Sequence, residues 1–122
     1  MSVQDIKPAE LKGLLDNGNK PLLLDVRQPE EVEAASIGGA VCIPMNEVPW
    51  RMDELDPSGE IVVFCHHGGR SAQVAQLLAM RGFKNVKNLE GGIDAWAVTV
   101  DRQVPRYVFD GRSVQIVGGV PE

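Results

Sequence analysis

The chain has 122 residues, of which 43% are hydrophobic and 24% are charged, so it has the length and composition of one folded domain. A net charge of -5 argues against a surface that binds nucleic acid or an anionic membrane, because either would need a basic patch. The first residues resemble no secretory signal, and no apolar run approaches the ~20 residues of a membrane span, so we expect a cytoplasmic protein without membrane contact.

The first half of the chain alternates between helical and strand-like patterns. Residues 8–17 place Leu11, Leu14 and Leu15 on one helical face, with Pro8 in the first turn. Short apolar runs bounded by turn-forming residues predict strands buried on both faces. These runs are residues 22–24, 41–43 and 61–64, with a weaker candidate at 85–89.

Helical patterns lie between these strands, over residues 29–35, 48–55 and 71–81. The alternation predicts a doubly wound α/β domain with a parallel sheet and a ligand site at the carboxyl ends of the strands. The segment after residue 105 is ambiguous. Its apolar run at 114–117 is consistent with an extra strand or with a partly mobile tail.

The two cysteines of the chain differ in their surroundings. Cys42 lies between Val41 and Ile43 in an apolar run, which favours a structural role in the core. Cys65 instead follows the apolar run 61–64 and precedes a glycine-containing loop, which favours a nucleophile. They form no Cys-x-x-Cys pair, so free thiols are expected.

The loop from Cys65 to Ser71 has the features of an anion cradle. Gly68 and Gly69 can adopt positive φ angles, and the N-terminus of the following helix supplies unpaired N–H groups. A thiolate at Cys65 is stabilised by such a cradle. Arg70 adds a fork of donors that suits an oxyanion.

His66 and His67 stand next to the cysteine, where they favour the thiolate if protonated and can pair with an incoming group if neutral. Shaping of the loop is an equally good interpretation of both. Metal binding by Cys65, His66 and His67 is disfavoured, because adjacent residues rarely converge on one ion. Asp25 and Arg27, at the end of the first apolar run, are expected to form an anchoring ion pair rather than to contact substrate.

The pattern Cys-x-x-Gly-x-Arg-Ser at residues 65–71 resembles the active-site loop of rhodanese-family sulfurtransferases. Residues 22–31 resemble the amino-terminal motif of that family, and residues 88–96 resemble its carboxy-terminal motif. The resemblance defines a domain over residues 3–107 and leaves residues 108–122 as a C-terminal extension. One departure is the stretch 35–40, which lacks the histidine found there in many members.

The resemblance implies a rhodanese-like α/β fold with a central parallel sheet of about five strands and helices on both faces. It also implies transfer of a sulfane sulfur from thiosulfate or a similar donor, through a persulfide on Cys65, to cyanide or a thiol. A protein thiol or carrier is an open alternative acceptor. No cofactor and no metal are implied. The expected substrate-binding residues are His66, His67, Gly68, Gly69, Arg70 and Ser71.

Two alternative functions were weighed against sulfur transfer. A phosphatase or arsenate reductase of this design places five residues between its cysteine and its arginine, whereas only four separate Cys65 from Arg70. The shorter loop favours a single sulfur atom over a tetrahedral oxyanion. A non-catalytic interaction module is disfavoured because both Cys65 and Arg70 are present.

Overall fold

A parallel sheet of five strands forms the centre of the computed structural model, which describes residues 3–118. The order of the strands is β1-β5-β4-β2-β3, and each neighbouring pair is parallel. The strands are β1 Gln4–Ile6, β2 Leu22–Asp25, β3 Val41–Cys42, β4 Glu60–Phe64 and β5 Asn85–Leu89. This architecture confirms the predicted α/β class.

Helices cover both faces of the sheet. They are α1 Pro8–Asp16, α2 Pro29–Ala34, α3 Val48–Arg51, α4 Gly69–Met80 and α5 Gly92–Thr99. The helix predicted over 48–55 is shorter than expected, because 3₁₀ turns flank α3 at Met45–Glu47 and Met52–Glu54. The last of these turns ends where Leu55 adopts an extended conformation and enters the core.

The strand β4 divides the core into two parts. Val62 and Phe64 point towards the cluster that α1 and α5 cover, whereas Ile61, Val63 and Cys65 point towards the cluster that α3 and α4 cover. This alternation follows from the two-residue period of a strand. It places Cys65 directly after β4, a central strand that is buried from Ile61 to Phe64, and before the first turn of α4.

A C-terminal hairpin follows the parallel sheet. Strands β6 Arg106–Phe109 and β7 Val114–Gly118 are antiparallel. The segment left ambiguous by its sequence therefore contains a strand up to residue 118, and residues 119–122 lie outside the described residues. The domain boundary expected between residues 107 and 108 falls inside β6.

Within residues 3–118, no helix has both the length and the apolar character that crossing a membrane requires.

Candidate active site

The thiol of Cys65 lies in the turn between β4 and α4, where two backbone N–H groups converge on its sulfur. The N–H of Gly68 lies 3.1 Å from Sγ, and the N–H of Ser71 lies 3.4 Å from it. The residue is only 1% exposed. These donors, together with the positive end of α4, favour negative charge on the sulfur.

The turn depends on the conformation of Gly68, whose φ is +110°. A Cβ at this position would make only ordinary contacts, since the nearest atoms, the N of Gly91 and the O of Leu89, lie 3.6 Å away. The backbone angle rather than the available space therefore requires glycine.

The first turn of α5 holds the loop from its other side. The N–H of Ile93 donates to the carbonyl of Cys65 at 2.9 Å, and the N–H of Asp94 donates to that of His66 at 3.1 Å. A Cβ on Gly92 would lie 2.4 Å from the His66 carbonyl oxygen, and its φ is +64°. Both carbonyls are thus paired with the first turn of α5. The sequence motif at 88–96 included Gly92, but only its contacts show what it does.

Asn88 links Ser71 to the loop by hydrogen bonds. The hydroxyl of Ser71 lies 2.5 Å from Oδ1 of Asn88, and the amide of Asn88 donates to the Gly68 carbonyl at 3.2 Å. The hydroxyl also lies 3.4 Å from Sγ of Cys65, but its single proton goes to the closer amide oxygen. Ser71, expected at the substrate, is buried and meets the sulfur through its backbone N–H.

Arg70 forms a bidentate ion pair with Glu31, at 2.7 and 2.8 Å, rather than standing free in the site. Glu31 is buried and also accepts from the hydroxyl of Tyr107 at 2.8 Å. Burial alone would raise the pKa of Glu31, but hydrogen bonds from Arg70 and Tyr107 outweigh it and hold that pKa below its ordinary value. Both terminal nitrogens of the Arg70 guanidinium are therefore already hydrogen-bonded to Glu31.

A second ion pair supports the same region. Arg27 and Asp25 are both fully buried and pair at 2.6 Å, which confirms the anchoring role expected for them. Arg27 also donates to the hydroxyl of Tyr107 at 3.1 Å, so the tyrosine joins the two ion pairs. Neither Glu31 nor Tyr107 was singled out from the sequence, because their partners lie far away along the chain.

His66 packs flat against Tyr107, with ring centroids 4.0 Å apart and an interplanar angle of 9°. Burial, together with the neighbouring His67, lowers the pKa of His66, which favours the neutral imidazole. Its Nε2 is buried and has no hydrogen-bond partner within residues 3–118. His67 is exposed beside it.

An open cavity of about 580 Å³ lies over Cys65. Five of the expected site residues line it: Cys65, His66, His67, Gly69 and Arg70. Three further lining residues, Gln28, Phe109 and Gly111, were not anticipated from the sequence. Two of them belong to the C-terminal hairpin, whose position over the site only the folded chain reveals.

Cys42 does not have the buried structural position expected from its apolar neighbours. It is exposed, because β3 is an edge strand of the sheet and ends at this residue. Partial burial of the thiol and the charge of Asp25 raise the pKa of Cys42. It is therefore an accessible but weakly nucleophilic thiol at neutral pH.

The comparisons with known proteins agree on one family. The family model described as "Rhodanese-like domain" matches residues 7–99. A protein of Allochromatium vinosum named "Sulfurtransferase" is 37% identical over 95 residues, which cover 78% of this chain and 89% of that protein.

A longer relative, the rhodanese-like/PpiC domain-containing protein 12 of Arabidopsis thaliana, is 38% identical over 112 residues. The match covers 86% of this chain but only 38% of that protein. Among solved structures, a rhodanese-like domain protein from Staphylococcus aureus superposes with a TM-score of 0.73 at 32% identity, covering 77% of this chain and 91% of that one.

Proposed function

The chain belongs to the rhodanese-like domain family, and from this premise we propose that it is a sulfurtransferase that carries a sulfane sulfur as a persulfide on Cys65. The relative named as a sulfurtransferase supports sulfur transfer as the class of reaction. Cys65 as the carrier of the sulfur is our own assignment.

The observation that carries this assignment is the convergence of the Gly68 and Ser71 N–H groups on Sγ of Cys65, at the base of an open cavity. These donors stabilise the thiolate that must attack the donor. The cavity that Cys65 lines can take the outer sulfur of a persulfide, whose negative charge the same helix end favours.

The proposed reaction has two steps. With thiosulfate as donor, the Cys65 thiolate attacks the outer sulfur, the S–S bond of thiosulfate breaks, and sulfite leaves with the bonding electrons. An acceptor then attacks the outer sulfur of the persulfide, the new S–S bond breaks, and Cys65 is restored as a thiolate. Cyanide gives thiocyanate in this step, and a thiolate gives an organic persulfide. A protein thiol would react in the same way.

Mass spectrometry of the intact protein tests the proposal directly. Brief treatment with thiosulfate should add one sulfur atom, located on the peptide that contains Cys65, and cyanide should remove it. A neutral organic trisulfide, used with a small thiol, serves as a second donor in case thiosulfate is not used. The Cys65 thiolate attacks its central sulfur and an organic thiolate leaves; the small thiol then attacks the sulfur that still bears the organic group, a disulfide leaves, and the persulfide remains on Cys65. If neither donor adds sulfur, or if the sulfur is found on Cys42, the proposed function is wrong.

Arg70 is proposed to contribute to binding an anionic donor. We expect Arg70→Ala to raise KM for thiosulfate about tenfold, since charge-assisted hydrogen bonds are worth roughly 1.5 to 3 kcal/mol and Glu31 already offsets part of the charge. The rate with a neutral trisulfide, measured per folded molecule, should change little.

Arg70→Lys is the matched control, because it retains the positive charge without the bidentate geometry. It should recover part of the affinity for thiosulfate. Equal losses with thiosulfate and with the neutral donor in Arg70→Ala would show that the residue only maintains the buried Glu31 network.

A further inference from the structure

The C-terminal hairpin forms one wall of the cavity over Cys65, although it lies beyond residues 7–99, which the family model matches. It reaches the site through Phe109, at the end of β6, and through Gly111 in the turn. The cavity therefore includes a part of the chain that the sequence motifs do not describe.

The hairpin is anchored rather than loosely placed. Tyr107 is buried, its hydroxyl contacts both Glu31 and Arg27, and its ring stacks on His66. At the outer edge, Arg106 forms a bidentate ion pair with Asp94 at 2.9 and 3.1 Å. These contacts fix the start of β6 against the elements that carry the active-site loop.

The turn of the hairpin is also ordered by its own hydrogen bonds. A carboxylate oxygen of Asp110 accepts from the N–H groups of Arg112 and Ser113, both at 2.8 Å. Arg106 and Tyr107 therefore anchor β6, and an ordered turn follows Phe109 on the wall of the cavity.

The side chains of β6 alternate between the protein and solvent, as in any strand. Tyr107 and Phe109 pack against the core cluster on the α1 and α5 face, whereas Val108 between them is 51% exposed. Phe109 is only half-buried, and the cavity lies against it. An aromatic ring thus lies on the wall of a cavity whose lining arginine, Arg70, is already paired with Glu31.

We propose that Phe109 binds the organic part of a low-molecular-weight thiol or persulfide, and that the hairpin thereby sets the preference of the site for organic thiols over cyanide. This inference rests on the proposed persulfide chemistry of Cys65. An inorganic anion has no apolar group to place against the ring, whereas an organic thiol gains from burying its carbon atoms there.

The step that Phe109 assists is the second half of the reaction. The thiolate of the organic acceptor attacks the outer sulfur of the Cys65 persulfide and forms the new S–S bond. The bond between the two persulfide sulfurs breaks, its electrons return to Sγ of Cys65, and the organic persulfide leaves. Contact with Phe109 holds the organic group while its sulfur approaches, so the contact lowers KM for that acceptor.

The test compares acceptors and variants of the purified full chain that has been loaded with sulfur. Phe109→Ala should raise KM for benzyl mercaptan about five- to tenfold, because the variant loses an aromatic contact and the apolar area that the contact buries. The rate with cyanide should change less than about twofold. Val108→Ala, on the exposed side of the same strand, should change neither. Phe109→Leu should give an intermediate KM, and it replaces the alanine variant if the latter does not fold.

The outcomes separate this inference from the proposed function. If the wild-type protein acquires no sulfur, the proposed function has failed. If it loads normally but Phe109→Ala keeps the wild-type KM for benzyl mercaptan, or loses cyanide and thiol activity equally, Phe109 does not bind the acceptor and the inference is overturned.

Discussion

Replacement of Cys65 by serine is expected to abolish sulfur loading and to reduce turnover by at least about a thousandfold, as for loss of a catalytic nucleophile. The serine hydroxyl can accept the same N–H groups of Gly68 and Ser71, so the loop should keep its shape. It is not ionised at neutral pH and cannot hold a sulfane sulfur. The loss should therefore lie in the chemistry, with the melting temperature nearly unchanged.

Cys42→Ser is the matched control for this experiment. The exposed position of Cys42 at the edge of the sheet, and the raised pKa of its thiol, predict that the variant loads and transfers sulfur like the wild type. Intact-protein mass spectrometry and steady-state turnover measure both effects. Sulfur loading that survives in Cys65→Ser but disappears in Cys42→Ser would contradict the assignment of the nucleophile.

Gly92→Ala is expected to cause the largest loss outside the nucleophile itself. Its new Cβ would lie 2.4 Å from the carbonyl oxygen of His66 and 2.5 Å from that of Cys65, and the φ of +64° is itself unfavourable for alanine. Both obstacles are backbone atoms and cannot rotate away. The first turn of α5 must then separate from the active-site loop.

We expect this separation to cost about 3 kcal/mol or more of unfolding free energy, because a clash adds to backbone strain. Turnover should also fall sharply, since the Cys65 and His66 carbonyls lose the donors that orient them. Chemical denaturation and sulfur transfer measured at a temperature where the variant remains folded distinguish the two effects.

Gly13→Ala provides the comparison. Gly13 lies inside α1, its φ is not positive, and beyond the backbone of its own helix no atom lies within 4 Å of the Cβ it would acquire. Alanine there should be neutral or stabilising by about 0.5 to 1 kcal/mol, with normal turnover. Similar behaviour of the two variants would show that α5 does not hold the active-site loop in the way its contacts indicate.

The sequence predicted four of the five parallel strands, three of them from short apolar runs and β5 from a weaker pattern. The strand β1 was missed. It has three residues, of which only Ile6 is buried, and it exists because β5 offers it an edge to pair with. Local composition carries no sign of such a strand.

The candidate site, like the fold, was predicted only in part from the sequence. The residues of the loop from Cys65 to Ser71 are contiguous, so the role of a glycine-containing turn at a strand-to-helix junction could be inferred from local chemistry. Burial of Cys42 was predicted wrongly, because an apolar run indicates burial only for a strand that is covered on both sides. The position of β3 at the edge of the sheet is a property of strand order.

The sequence by itself determined the α/β class, the order of the main elements and the segment that carries the proposed nucleophile, since these depend on periodicity and on neighbours along the chain. Tertiary structure alone decided that Glu31 neutralises Arg70, that Gly92 supports the loop, and that Phe109 closes one side of the cavity. The partners in these contacts are separated by tens of residues. Their contacts depend on the order in which strands pair and helices pack, and no local pattern of residues encodes that order.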